Sequence, residues 1–144
     1  MAEKKYEKYV IPVDAKVMRQ GELPMLSFSG VPHGIDASWG ILVSHQILDE
    51  ETRKRLNENP HHHPHSQFIT LFGSNPYNIG EFDAEISIAL GEEQEEYIIN
   101  RPTVLHFPPG LIHAYGKTPH KISKPIYHID MTFAPVYQRI NLPG

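Results

Sequence analysis

The residues with the clearest chemistry in this sequence are its histidines. Four of the ten fall within five consecutive positions, as His61, His62, His63 and His65, between two strand-like runs. Imidazole is the commonest metal ligand in proteins, and residues at i and i+2 of an extended strand point to the same side. His113 follows a Pro-x-Gly turn further along the chain, so a third imidazole can reach the same cation. These histidines predict a metal site inside a small β-barrel.

The elements that must position these histidines are short strands. Thirteen prolines and ten glycines are spread along the whole chain, which suits strands and turns and argues against long helices. The clearest strand-like segments are 39–48, 68–72, 81–90, 103–107 and 126–133. Many short strands at turn-limited spacing predict an all-β barrel or sandwich such as a jelly roll. The only good helical candidate covers 50–58, and Asn59-Pro60 ends it.

Composition narrows the class of protein. The 144 residues predict one domain over 1–144 with a short N-terminal extension, and the net charge of −4 argues against nucleic acid or an anionic membrane as partner. The absence of cysteine excludes a disulfide scaffold and a thiolate metal site. The N-terminus is charged without an apolar signal core, and no run approaches the ~18 apolar residues of a membrane helix. We expect a soluble, cytoplasmic protein.

Two motifs in the central part of the chain resemble those of the cupin superfamily, small jelly-roll barrels that usually hold one divalent metal. The first cupin motif runs Gly-x5-His-x-His-x3-4-Glu-x6-Gly. In this sequence His61-x-His63 followed by Pro64 matches its start, Gln67 stands in the place of its glutamate, and Gly73 lies one residue short of its closing glycine.

The second cupin motif runs Gly-x5-Pro-x-Gly-x2-His-x3-Asn. Here Pro108-x-Gly110-x2-His113 matches in full, whereas Pro102 replaces the leading glycine and Lys117 replaces the asparagine. The two motifs together span residues 61–117. The resemblance implies a cupin-type jelly-roll β-barrel, a metal held by the three motif histidines, and a homodimer.

Gln67 is the departure that matters most for the metal. Three imidazoles and an oxygen donor suit Zn, Fe, Ni, Mn, Co or Cu, so the identity of the divalent transition metal stays open. An amide oxygen is a weaker donor than a carboxylate and carries no charge. We therefore expect either weaker metal retention with stronger Lewis acidity, or a three-histidine site with Gln67 held off the metal and His65 recruited in its place. Ligating imidazoles must be neutral, so metal affinity is expected to fall as the pH drops through about 6.

Other polar residues have weaker claims on the site. His45 ends the apolar face of its strand, and a histidine packed in the core is favoured over a contact with substrate or with the metal ligands. His106 receives the same interpretation. Tyr115 shares the parity of His113 and is a candidate for the cavity wall. In the last long strand, His128 and Asp130 alternate with apolar residues, and an exposed pair is favoured.

Two functions from different classes follow. The first is a metal-dependent enzyme acting on a small organic substrate, for which the resemblance allows dioxygenase, isomerase or lyase chemistry. The second is a module that binds a small ligand or a metal without turnover, and a metal-free structural barrel is a weaker third. A Gly-x-Ser-x-Gly elbow, a phosphate-cradling glycine loop and a cysteine nucleophile are all absent from the sequence.

Overall fold

The computed structural model describes residues 4–17, 24–44 and 59–142. Within these ranges the chain forms twelve β-strands and two short 3-10 helices, Glu7–Tyr9 and Val31–His33, and no α-helix. The all-β prediction is therefore confirmed. The predicted helix over 50–58 and the candidate site residue His45 lie outside the described residues.

Six strands form the first antiparallel sheet. In spatial order they are β1 (Ala15–Val17), β2 (Pro24–Ser29), β3 (Ser38–Ser44), β11 (Ile126–Thr132), β5 (Gln67–Gly73) and β8 (Thr103–Phe107). The long strand β11 lies in the middle of this sheet and pairs over its whole length with both β3 and β5. Side chains on one face of β11 therefore lie beside side chains on the same face of β5.

The second antiparallel sheet contains the histidine block. In spatial order its strands are β10 (Lys121–Ile122), β6 (Ala84–Leu90), β9 (His113–Tyr115), β4 (His61–His62) and β12 (Ile140–Asn141), and β7 (Glu95–Ile99) also pairs with β6. The two sheets form a jelly roll. Within the described ranges, no helix is long and apolar enough to cross a membrane.

The apolar core lies between the sheets. Leu71 and Ile126 from the first sheet and Ile86 from the second are 0–1% exposed and belong to one packed cluster. Burying a side chain of this size contributes roughly 1.5–3 kcal/mol to folding relative to leaving it in water. The strand alternation in β5 and β6 thus directs the largest aliphatic residues inward, as the sequence pattern indicates.

The orientation of β11 differs from the prediction. His128 is only 7% exposed and Asp130 is half-buried, whereas Met131 is 40% exposed, so the prediction of an exposed polar pair is wrong. The prediction of a core position for His106 is also wrong, because this residue is exposed. A period of two shows which residues share a face but not which face is inside. In this barrel His128 and Asp130 line an internal cavity, and Met131 on the other face of β11 is directed outward.

Candidate metal centre

His61, His63 and His113 meet on the second sheet. His61 of β4 and His113 of β9 are directly paired across the two strands, and His63 follows at i+2 from His61. One ring nitrogen of each residue lies within 4.8 Å of one nitrogen of each of the others. All three side chains are at most 5% exposed. The structure therefore brings together the three histidines that the two motifs single out.

Hydrogen bonds fix the tautomer of each imidazole in the same way. Nδ1 of His61 donates to the carbonyl of Asn59 at 2.8 Å, and Nδ1 of His113 donates to the carbonyl of Leu111 at 2.9 Å. Nδ1 of His63 donates to the carbonyl of Gln138. Since a carbonyl can only accept, the proton is on Nδ1 and the Nε2 lone pair of each ring is available.

The availability of these lone pairs tests whether the residues fit a metal. Nε2 of His63 is buried and has no hydrogen-bond partner, which is costly in a folded protein unless a ligand satisfies it. In histidine metal sites, the ring nitrogen that does not bind the metal usually donates its hydrogen to a carbonyl or a carboxylate, as Nδ1 does in these three residues. The residues therefore fit a divalent transition metal.

Burial keeps the three imidazoles neutral. Desolvation lowers the pKa of His61 to about 4 and that of His113 to about 3, against the raising effect of their carbonyl partners. The pKa of His63 is lowered by the same cause, and the positive charge of Arg139 lowers all three further. Neutral imidazole is the ligating form. Proton competition for a metal is therefore expected near pH 4, lower than the pH of about 6 that the sequence suggests.

The turn before His113 is bonded directly to the histidine block. Gly110 has a φ of +85°, which L side chains rarely adopt, and its N–H donates to the carbonyl of His63 at 2.9 Å. The N–H of Leu111 donates to the carbonyl of Pro108 at 3.1 Å and closes the turn. The Pro-x-Gly spacing of the sequence thus has a local cause, since this turn starts β9 beside β4.

Gln67 and Asp130 form a pair in the wall of the same cavity as His61 and His113. Gln67 is 2% exposed, and its Nε2 donates to the two carboxylate oxygens of Asp130 at 2.9 and 3.0 Å. Its Oε1 is buried and has no hydrogen-bond partner. Burial raises the pKa of Asp130, although the hydrogen bond from Gln67 and the nearby His65 act against this rise. The amide oxygen of Gln67 therefore has its lone pairs available for a metal ion or another ligand.

His65 is placed differently from the three convergent histidines. It is 8% exposed, and its Nε2 accepts a hydrogen bond from the N–H of Gln138 at 3.1 Å, so that lone pair is engaged. Its ring stacks on His63 with centroids 5.1 Å apart. His65 therefore supports the site by packing and lies outside the nitrogen cluster of His61, His63 and His113.

The cavity beside the histidines has a volume of ≈170 Å³ and two kinds of wall. Tyr115 and His128 extend the polar wall, and burial, with His120 nearby, lowers the pKa of His128 to about 4. Nε2 of His128 is buried and has no hydrogen-bond partner. Aliphatic side chains line the same cavity beside these polar residues: Ile69, Leu71, Ile88 and Leu105. The cavity can thus accommodate a small molecule that has both polar and apolar groups.

Sequence reasoning missed two residues that lie at this site. The alternation of β11 predicts a surface position for Asp130. Asp130 shares a strand face with His128 and Thr132, and three polar residues on one face of a buried strand would indicate a polar site. Tyr137 lines the cavity, and its ring lies 4.9 Å from that of His63. It comes from the segment after β11, and no motif in the sequence indicates its position.

Comparison with known proteins identifies the fold. No protein-family model matches the chain, and no curated protein matches it in sequence. Among solved structures, oxalate decarboxylase of Bacillus subtilis, a protein with Mn(II) centres, aligns with a TM-score of 0.51 at 10% identity. The alignment covers 90% of this chain but only 30% of the decarboxylase chain.

A second solved structure is matched over more of its own length. The polyketide cyclase RemF of Streptomyces resistomycificus aligns with a TM-score of 0.51 at 12% identity, over 100% of this chain and 87% of the cyclase chain. Oxalate decarboxylase and RemF are cupin-fold proteins, and this chain shares their fold. The resemblance read from the two sequence motifs is thereby confirmed at the level of fold.

Proposed function

We propose that the chain is a metal-dependent enzyme acting on a small, oxygen-containing organic anion in the cavity beside the three histidines. His61, His63 and His113 would hold one divalent transition metal, and the observation that carries this proposal is that their ring nitrogens lie within 4.8 Å of one another while each Nδ1 is bonded to a backbone carbonyl. When bound, such a metal supplies a Lewis acid that can polarise an oxygen of the substrate. The metal centres of structural neighbours such as oxalate decarboxylase support this interpretation.

The charge of the site favours an anion. The three imidazoles and the Gln67 amide are neutral, and Arg139 is close enough to lower the pKa of all three imidazoles. The Asp130 carboxylate is the only anionic side chain in the cavity wall among the described residues. A bound dication would therefore leave the site net positive, and a substrate carboxylate would be attracted to it.

The size and walls of the cavity limit the rest of the substrate. A volume of ≈170 Å³ is below the ~300 Å³ at which clefts for drug-sized ligands begin, so a small acid is expected. The aliphatic wall of Ile69 and Leu105 would pack against an apolar part and exclude water. His128, neutral near pH 7 because of its lowered pKa, would accept a hydrogen bond from a substrate hydroxyl.

Turnover of small hydroxy- and keto-acids by metal-loaded protein tests this proposal. We expect activity in the wild type, loss of metal and activity in His113→Ala, and no change in His106→Ala, which removes an exposed histidine. His128→Phe should keep the metal and lose activity, because it blocks only the cavity. Equal turnover in wild type and His113→Ala would refute the metal-dependent function.

The second candidate, a module that binds a small ligand without turnover, is favoured by one observation. Gln67 is a neutral amide where the first cupin motif has a carboxylate, so a residue that could exchange protons beside the metal is lost. Saturable binding of an acid without any product, abolished in His113→Ala, would support the module over the enzyme.

We also propose a homodimer, formed through the outer face of the first sheet. Val104, Met131 and Phe133 lie on this face and are 58%, 40% and 52% exposed. Met131 lies opposite Phe68, the ring of Phe133 lies 5.4 Å from that of Phe68, and Val104 lies opposite Thr70, two residues further along β5. Exposed apolar side chains grouped on one face of a sheet are a feature of interaction surfaces.

A further inference from the structure

The pairing of Gln67 with Asp130 has a consequence for the metal site. The two residues lie on neighbouring antiparallel strands, where Gln67 is opposite Thr132 and Asp130 is two positions away on the same face. Diagonal neighbours of this kind are within reach of long side chains. The contact is therefore built into the register of β5 and β11.

The chemistry of the contact determines which end of the amide faces the carboxylate. The amide nitrogen of Gln67 donates to both oxygens of Asp130, which is the orientation that an ionised carboxylate requires, because it can only accept. The amide oxygen then points away from Asp130, and it is this atom that is buried without a partner. Gln67 is 2% exposed and lines the same cavity as His61 and His113. Because a buried polar atom is rarely left without a partner, a ligand bound in this cavity would satisfy its oxygen.

We propose that Asp130 is a positioning residue: it holds the Gln67 amide with its oxygen toward the cavity, as a fourth donor for the cation of the three histidines, and supplies the negative charge that a glutamate at position 67 would carry. This inference rests on the proposed function. In the first cupin motif the charge is on the ligand itself. Here the ligand is neutral, and the charge lies one hydrogen bond further from the cation.

Zn²⁺ affinity, measured by competition with a chromophoric chelator at pH 7.5, tests the role of Asp130. Asp130→Asn removes the charge and allows the amide at position 67 to turn over, so we expect affinity to fall about 10- to 100-fold, the usual cost of losing a partner of a metal ligand. Asp36→Asn, at an exposed position, is the matched control for the loss of one carboxylate and should bind like the wild type. Asp130→Asn binding as tightly as Asp36→Asn would overturn the proposal.

An exchange of the two side chains provides the sharper test. Gln67→Glu combined with Asp130→Asn restores one carboxylate and one amide in reversed order, and we expect it to recover most of the lost affinity. Gln67→Leu removes the oxygen, and adding Asp130→Asn to it should cost much less than in the wild-type background, because only the through-space effect of the charge is left to lose. An equal loss in the Gln67→Leu background would show that Asp130 acts without Gln67, and would refute the inference.

Two single variants keep the test decisive. Should Asp130→Asn not fold, Gln67→Leu alone still tests the fourth donor: it removes the amide oxygen and is expected to lower Zn²⁺ affinity, and binding as tight as that of Asp36→Asn would count against the proposal. His113→Ala separates the two proposals. If it binds Zn²⁺ like the wild type, the metal site itself is wrong. If it loses Zn²⁺ while Asp130→Asn does not, only the role of Asp130 is wrong.

Discussion

Acid should destabilise the metal-free protein through its buried histidines. Burial lowers the pKa of His61, His113 and His128 to about 4, 3 and 4, from 6.5 for the free side chain. Between pH 6.5 and 4 the unfolded chain therefore binds protons that the folded protein does not. The raised pKa of Asp130 acts in the opposite direction, but one carboxyl group does not offset three histidines, so the free energy of unfolding falls as the pH drops through this window and recovers above it.

The magnitude follows from linkage. Each histidine that is charged in the unfolded state and neutral in the folded state contributes about 1.4 kcal/mol per pH unit. Three such histidines give about 4 kcal/mol per unit between pH 6 and 5, and water penetration into the cavity would reduce this to about half. A domain of ordinary stability, about 5–15 kcal/mol, would then lose a large fraction of it by pH 5.

Urea unfolding with a metal chelator present, at several pH values from 7 to 5, measures this slope. We expect about 2–4 kcal/mol per pH unit in the wild type, with the midpoint falling and the m-value constant. His128→Leu should reduce the slope by about one third, whatever it does to stability at pH 7. A slope below that of a single histidine, or one unchanged by His128→Leu, would refute the reasoning.

Four further outcomes are expected. Metal affinity should hold from pH 8 to about 5 and fall below that, because the pKa values of His61 and His113 lie near 4 and 3; isothermal titration across this range checks it. Ile86→Ala should cost about 2–5 kcal/mol in chemical denaturation, because Ile86 is fully buried in the core. Gly116→Ala should lower the melting temperature, since an added Cβ would meet Ser87 Oγ at 1.9 Å. Phe133→Glu should convert the dimer into a monomer in size-exclusion chromatography with light scattering; a wild type that is already a monomer would contradict the dimer.

The sequence predicts the local features of the site well. His61 and His63 lie on the same side of the strand because of their i, i+2 spacing. The turn at Gly110 is predictable because it needs a positive φ, which glycine adopts readily. The pairing of His61 with His113 is a long-range register that spacing alone does not fix. It could be anticipated only because two motifs occur in the order of a known barrel.

The inner face of β11 could not be predicted from periodicity. Alternation separates His128 and Asp130 from Met131 but carries no information on which side faces the cavity. The usual rule that apolar residues face inward gave the wrong answer for these two residues, because both line the cavity that also contains His61 and His113. The partnership of Gln67 with Asp130 then depends on the β5–β11 register, which no short motif encodes.

The metal content of untagged protein, purified without added metal, tests the central claim most directly. Elemental analysis should find close to one divalent transition metal per chain in the wild type and in His106→Ala, which lacks an exposed histidine, and almost none in His113→Ala. Substoichiometric metal that is the same in all three proteins would contradict a site formed by His61, His63 and His113.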